Sequence, residues 1–230
     1  MAERRGVESS VEHPPTFKEF YPVNPPFGYL GIRVEEETGR LVYLTVEPAL
    51  TEEERQSLER LKSIIRAEAE VPLSVLKEEA RIEEYLVTKA RKVIKTFKLG
   101  IPEEAVEKLL YYLKRDLLGY GVIDLIIRDE NIEDISCNGA KIPIYVWHRH
   151  YESLPTNVIY GSEEELESFI LRLAYRAGHQ ISVSRPILEG TLPEGFRIHL
   201  TLKEISKRGP TFTIRKVRTN PFTVVDLIKF

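Results

Sequence analysis

Hydrophobic positions in the first half of the chain follow two different periods. Alternating apolar residues over 29–46, interrupted by a Glu-Glu-Glu-Thr-Gly-Arg turn, predict a β-hairpin. Three stretches with helical spacing follow and predict helices over about 51–65, 76–97 and 102–118. Thr51 and Glu54 form a capping box where the first of these helices begins. Five prolines within the first 26 residues predict irregular, extended backbone before the hairpin.

The second half of the chain is dominated by short strand patterns. These predict strands over 132–137, 142–151, 196–202 and 211–217. A capping box of Ser162 and Glu165 opens a helix that ends at Gly178, and a last helix is predicted from Thr223. We therefore predict an α+β protein with three parts. They are an N-terminal extension with a hairpin and helices (1–98), an α+β subdomain (99–220) and a linker (221–230).

Composition places the chain among ordinary globular proteins. Of its 230 residues, 42% are hydrophobic and 30% charged, with a formal net charge of −3, which argues against a disordered chain. No apolar run approaches the roughly 20 residues that span a bilayer, and the N-terminus lacks the apolar segment of a secretory signal. The single cysteine, Cys137, excludes an internal disulfide and is interpreted as a packing residue.

Positive charge is concentrated near the end of the sequence. Residues 196–230 contain eight Lys or Arg residues against two acidic ones. Strand alternation puts Arg197 on the polar face of one strand and Arg215 on the polar face of the next. If the strands pair in register, the two guanidinium groups share a face and offer bidentate donors to phosphate. On charge alone, solvated surface arginines are the simpler interpretation.

Several ordered motifs run from residue 117 onward. They are Leu-Leu-Gly-Tyr-Gly-Val-Ile-Asp-Leu-Ile (117–126), Ile-Glu-Asp-Ile-Ser-Cys-Asn-Gly (132–139), Arg-Pro-Ile-Leu-Glu-Gly-Thr-Leu-Pro-Glu-Gly-Phe-Arg-Ile (185–198) and Thr-Ile-Arg-Lys (213–216). Together they resemble the N-terminal domain of the ATPases that power type II secretion, type IV pili, type IV secretion and archaeal flagella. The Tyr-Pro-Val-Asn-Pro-Pro opening (21–26) and the hairpin end (43–51) are similar to the archaeal general-secretion-type members.

This resemblance implies a fold and a set of site residues. The fold would be a helix-backed, PAS-like mixed sheet, with the RecA-like ATPase domain absent from this chain. By motif, Arg197 and Arg215 would reach the nucleotide phosphates, with Arg185 as a weaker candidate that could instead hold a turn against Glu189. The family usually has Asp-Gly where this chain has Glu189-Gly190. No catalytic or metal-binding residue is implied for this fragment.

The family's catalytic loop is not found in this sequence. A P-loop requires Gly-x-x-x-x-Gly-Lys-Ser/Thr, and no Gly-Lys pair occurs in the 230 residues. The fragment alone is therefore not expected to hydrolyse ATP. The resemblance implies ATP and Mg²⁺ as cofactors of the full-length parent, with neither expected to bind tightly to this fragment.

Partners and location also follow from the resemblance. The expected partners are the protein's own C-terminal ATPase domain, neighbouring subunits of a homohexamer and a polytopic membrane platform protein. The expected location is the cytoplasm, at the cytoplasmic face of the cell membrane. Nucleic acid is not expected, because aromatic residues are not interleaved with the charges of 196–218.

Other interpretations of the sequence remain open. The chain could be an adaptor without a nucleotide role that binds a membrane platform or assembly partner through helices within 51–98. Equally, the helices between 51 and 118 could only pack a core. A metal site at His148, His150, His179 and His199 is disfavoured because the spacing is loose and no Cys or carboxylate completes a set.

Overall fold

The computed structural model describes residues 17–67, 79–97 and 99–216, and this part of the chain contains nine strands and five α-helices. The strands are β1 (Phe17–Asn24), β2 (Gly28–Val34), β3 (Leu41–Val46), β4 (Ile132–Cys137), β5 (Pro143–His148), β6 (Glu152–Ile159), β7 (Ile187–Thr191), β8 (Arg197–Thr201) and β9 (Thr211–Arg215). The helices are α1 (Glu52–Ala67), α2 (Glu79–Thr96), α3 (Glu103–Leu117), α4 (Asp124–Arg128) and α5 (Glu163–Arg176). The helix predicted from Thr223 lies outside the described residues.

All nine strands belong to one sheet, in the order β1-β2-β3-β6-β5-β4-β9-β8-β7. Neighbouring strands are antiparallel except β3 and β6, which run parallel where Tyr43 lies opposite Thr156. The sheet is therefore mixed, and with the helices it confirms the predicted α+β class. Strands that are distant in sequence become neighbours in the middle of the sheet, where β4 pairs with β9.

One face of the sheet is covered and the other is open. Every second residue of the central strands is buried, as at Ile135, Val146 and Ile214. Helix α4 packs against β1, β2 and β4, while α5 packs against β8 and β9 on this buried face. The side chains between the buried positions are exposed on β5, β8 and β9 and half-buried on β4, so that face can meet a ligand.

Helices α1, α2 and α3 form a second hydrophobic cluster beside the sheet. Each contributes an apolar stripe, with Leu61, Ala90 and Leu109 fully buried among them.

An ion pair and an aromatic contact connect α3 to the sheet region. Arg115 pairs with Glu47, just after β3, with an Nη1–Oε2 distance of 2.6 Å, and Tyr111 packs on Phe27 between β1 and β2. Within the described ranges, no helix has both the length and the apolar character needed to cross a bilayer.

Many predicted elements are confirmed. The hairpin appears as β2 and β3, and β4 has the predicted limits. The Thr51–Glu54 capping box is reciprocal, since each backbone N–H donates to the other side chain, at 2.8 and 3.2 Å. At α5, Ser162 Oγ accepts from the Glu165 N–H as predicted, although the Glu165 carboxylate accepts from the Gly161 N–H instead. The subdomain boundary at residue 98 stays a prediction.

Two predicted regions differ from the structure. The segment before the hairpin contains a strand, β1, at the edge of the sheet, where Pro22 is tolerated, and its pairing with β2 shifts register near both ends. The rest of the predicted extended segment, 1–16, lies outside the described residues. The strand predicted over 142–151 appears as β5 but ends at His148, because residues 149–151 form a turn. Strands β6 and β7 and the short helix α4 were not predicted from the sequence.

Candidate functional site

The open face of the sheet carries a groove of about 860 Å³, which we call the sheet groove. Its side chains come from β4 to β9 and form two rows across the strands. One row is Ser153, Trp147, Asp134, Arg215, Arg197 and Thr191, in strand order. The other row is Tyr145, Ser136, Thr213, His199 and Glu189. Each row runs from an aromatic end to an end rich in polar and charged groups.

Arg197 and Arg215 are direct cross-strand partners in the β8–β9 ladder. This confirms the prediction that the two side chains share the polar face of the sheet. Their Cβ atoms are expected about 5 Å apart, a separation at which like charges repel. An anion between the two guanidinium groups would remove that repulsion, so the pair suits a phosphate group.

Asp134 of β4 orients one of the two arginines. Its carboxylate accepts two hydrogen bonds from Arg215, at 2.9 Å from Nε and 3.3 Å from Nη2. This bidentate pair raises the pKa of Arg215 and fixes its guanidinium plane. In the described part of the chain, no carboxylate forms an ion pair with Arg197. Arg197 therefore presents its charge to solvent, while Arg215 is shared with Asp134.

Two aromatic side chains stand at the other end of the sheet groove. Trp147 is 45% exposed and Tyr145 is 39% exposed, although both lie on a strand whose alternate residues are buried. The sequence analysis did not predict them as site residues, because they lie outside the motifs and outside the basic segment 196–218. The alternation of Ile144, Val146 and His148 with these two rings was the available signal.

Of the basic residues near the end of the sequence, Arg197 and Arg215 line the sheet groove. Among its lining residues, Arg197 and Arg215 are balanced by Asp134 and Glu189. Lys216 does not line the sheet groove. Its ammonium group donates to the backbone carbonyl of Asp129 and lies 5.7 Å from the Phe196 ring centroid. The groove therefore carries as many acidic as basic side chains, and Arg197 is the basic one without an ion-pair partner among the described residues.

Arg185 lies apart from the two groove arginines. It is exposed and forms an isolated backbone bridge with Ser182. It is not among the residues that line the sheet groove, whereas Glu189, its suggested alternative partner, is. The structure brings together two of the three predicted phosphate ligands.

The histidines and the cysteine occupy different environments. His148 is fully buried, and its Nδ1 accepts a hydrogen bond from the His150 N–H at 3.1 Å. Cys137 is also buried, and burial raises the pKa of its thiol, as expected for a packing residue. Across residues 17–67, 79–97 and 99–216, no three His, Cys, Asp or Glu side chains are grouped so as to hold a metal ion.

Lys216 gives a prediction for the pH dependence of stability. Burial lowers its pKa to about 8 in the folded protein, below the value of about 10.4 expected for the unfolded chain. Between these values the unfolded state binds more protons, so Lys216 makes the folded state relatively more stable as pH rises. The free energy of unfolding of the native protein should therefore rise relative to that of Lys216→Met between about pH 8 and 10. Urea titrations of both proteins across this range test this, and a constant difference would contradict it.

Comparison with curated proteins identifies relatives without a stated function. No protein-family model matches the chain. The uncharacterized protein MJ1288 of Methanocaldococcus jannaschii is 41% identical over 160 residues, covering 70% of this chain and 63% of that protein. The uncharacterized protein MJ0900 of the same organism is 41% identical over 134 residues, covering 58% of this chain and 24% of that protein. The chain thus spans less than two thirds of either relative.

Comparison with solved structures finds a secretion ATPase. The chain is similar to the VirB11 ATPase from the Brucella suis type IV secretion system, solved in complex with sulphate, with a TM-score of 0.37 and 24% identity. The match covers 45% of this chain and 32% of that chain.

Proposed function

We propose that this chain is the nucleotide-capping and regulatory domain of a hexameric secretion or pilus-assembly ATPase. The observation that carries the proposal is the direct register of Arg197 and Arg215 on an open sheet face. Both residues belong to motifs that resemble those of secretion ATPases. In this proposal the parent's RecA-like domain holds ATP and Mg²⁺, and the sheet groove closes over the phosphates.

The chemistry explains why a cap would carry arginines. Phosphoryl transfer develops negative charge on the phosphate oxygens, and catalysis depends on positioning and electrostatic stabilisation. Arg197 supplies a charge that no carboxylate of the described residues pairs with. Arg215 supplies a second guanidinium group, whose Nε and Nη2 donate to Asp134. The pair can therefore bind phosphate oxygens from two adjacent strands.

The same contacts would couple nucleotide state to domain position. A ligand shifts an equilibrium between open and closed states only by its difference in affinity for them. Phosphates held by both the RecA-like domain and the sheet groove favour the closed state, and their release favours the open one. We propose that this movement is passed to a membrane platform protein at the cytoplasmic face of the membrane.

The phosphate contact can be tested on this chain. Trp147 is the only tryptophan in the sequence and lies beside Asp134 in the groove, so its fluorescence reports on the site. Inorganic triphosphate should bind weakly, and Arg197→Gln should weaken binding by about tenfold, the cost of one charge-assisted hydrogen bond. Arg33→Gln, on the exposed end of β2 outside the groove, is the matched control.

Two results would contradict this proposal. One is no fluorescence or calorimetric response to triphosphate at any concentration. The other is equal weakening by the Arg197 and Arg33 substitutions, which would indicate general charge attraction. Either result would favour an adaptor that acts without nucleotide.

A further inference from the structure

We propose that Tyr145 and Trp147 form a binding surface for the base of the nucleotide, so that the sheet groove contacts the base as well as the phosphates of a nucleoside triphosphate. This inference rests on the phosphate site proposed above and adds a second part to it. The groove would then recognise the base and the phosphates at opposite ends.

The two rings are spaced for stacking. They are two residues apart on β5 and point to the same face, which puts their Cα atoms about 7 Å apart. Stacked carbon atoms lie about 3.5 Å apart at their optimum. The space between the two ring positions therefore corresponds to one aromatic layer, the thickness of a nucleobase.

The order of groups across the sheet matches the order of groups along a nucleotide. From the aromatic end, Trp147 is followed by Asp134, then Arg215, then Arg197. In the parallel row, the hydroxyl groups of Ser136 and Thr213 lie between the Tyr145 end and His199. A base on the rings, a ribose over the hydroxyl groups and phosphates at the arginines would follow this order. With about 4.8 Å between strands, Trp147 and Arg197 are about 14 Å apart.

Size and charge favour a mononucleotide over a longer polyanion. A groove of about 860 Å³ lies within the usual range for small-ligand sites, about 300 to 1,000 Å³. Asp134 and Glu189 in the lining would repel a run of phosphates that crossed the whole groove. Among the described residues no carboxylate forms an ion pair with Arg197, although Glu189 of the neighbouring strand β7 lines the same end of the groove. The site therefore fits one nucleotide lying across the strands.

The test compares three ligands by calorimetry: inorganic triphosphate, ATP and adenosine. ATP is expected to bind at least about tenfold more tightly than triphosphate, because base stacking on an aromatic ring typically contributes 5- to 150-fold. Adenosine should quench Trp147 fluorescence without requiring Arg197. Trp147→Leu should reduce ATP affinity to that of triphosphate while leaving triphosphate binding unchanged.

Matched variants separate stacking from general effects. Tyr145→Leu should weaken ATP binding in the same way, whereas Tyr175→Leu should not, although Tyr175 is the more exposed ring at 84%. Tyr175 lies on α5, outside the groove. A normal far-ultraviolet circular dichroism spectrum and an unchanged response to triphosphate show that each variant keeps its groove.

Each remaining outcome has a defined meaning. If ATP and triphosphate bind equally and Trp147→Leu changes neither, the base surface is wrong and the phosphate site stands. If neither ligand binds, both proposals are wrong. If a single-stranded oligonucleotide binds far more tightly than ATP in a salt-dependent way, the occupant is a polynucleotide and the mononucleotide inference is overturned.

Discussion

Replacing Asp129 with alanine is expected to lower the free energy of unfolding by about 4 kcal/mol. Asp129 is buried, and its Oδ2 accepts hydrogen bonds from the hydroxyl groups of Tyr21 and Tyr43 at 2.7 and 2.8 Å. Its Oδ1 accepts from the Asn131 N–H at 2.9 Å. Removing the carboxylate leaves one buried donor, the Tyr43 hydroxyl, and two half-buried donors without this acceptor. An unsatisfied buried donor costs about 1 to 3 kcal/mol, and the half-buried donors and the lost packing of Asp129 add to this.

The hydroxyl groups of the two tyrosines donate hydrogen bonds to Asp129 throughout the neutral pH range. Burial, together with the charge of Asp129, raises the pKa of Tyr43 well above its ordinary value, so its hydroxyl stays a donor. The hydrogen bonds from Tyr21 and Tyr43 to Asp129 connect β1 and β3 to the residue that follows α4. Asp129 therefore links the hairpin region to the strands that build the sheet groove.

Chemical denaturation with urea measures this effect. Tyr43→Phe removes one of the donors and should cost about 1 kcal/mol, and Asp129→Asn should fall between the two. Glu36→Ala, an exposed carboxylate in the turn between β2 and β3, is the control and should change stability by less than about 0.5 kcal/mol. A loss below about 1 kcal/mol for Asp129→Ala would show that the three hydrogen bonds do not hold the hairpin.

Local signals in the sequence predicted much of the fold. The β2–β3 hairpin follows from alternation around a glycine-containing turn, and α1 and α5 begin at capping residues. These features involve residues three to six positions apart, so short-range chemistry determines them. Strands β6 and β7 were missed because each carries a residue unfavourable to strands, Pro155 and Gly190 respectively.

Gly190 shows why such residues can still be part of a strand. A Cβ atom at this position would lie 3.2 Å from His179 Cδ2 and 3.4 Å from Ala177 Cβ. The close approach of the segment that follows α5 therefore favours glycine there. That contact depends on tertiary structure and could not be predicted from the strand pattern.

The sheet groove was predictable only in part. The Arg197–Arg215 pair follows from two consecutive strands, since alternation and an in-register antiparallel ladder are enough. Asp134 and Trp147 reach the same face through the β4–β9 and β4–β5 ladders, and β4 and β9 are separated by more than 70 residues. Sequence alternation gives the face of each side chain but not the order of strands in the sheet. The aromatic end and the Asp134 partner therefore required the topology.

Reversing both groove arginines should abolish triphosphate binding by this chain, with affinity falling at least about 100-fold. Two charge-assisted contacts at about 1.5 to 3 kcal/mol each are lost in Arg197→Glu/Arg215→Glu. The lining then carries Asp134, Glu189 and two further carboxylates, which repel phosphate. Because a glutamate at 215 would face Asp134, Arg197→Gln/Arg215→Gln is made in parallel as a variant without the new charges.

Asp134→Asn is expected to strengthen triphosphate binding, whereas the arginine substitutions weaken it. Opposite effects on affinity distinguish phosphate binding at Arg215 from a general loss of the site. The Asp134 carboxylate competes with phosphate for the same guanidinium of Arg215. Removing its charge while keeping its shape leaves Arg215 available, so triphosphate should bind about fivefold more tightly. Weaker binding by Asp134→Asn, measured by Trp147 fluorescence and calorimetry, would mean that Asp134 orients Arg215 for phosphate and does not compete with it. Unchanged binding would mean that Arg215 does not contact phosphate, which leaves Arg197 as the main ligand.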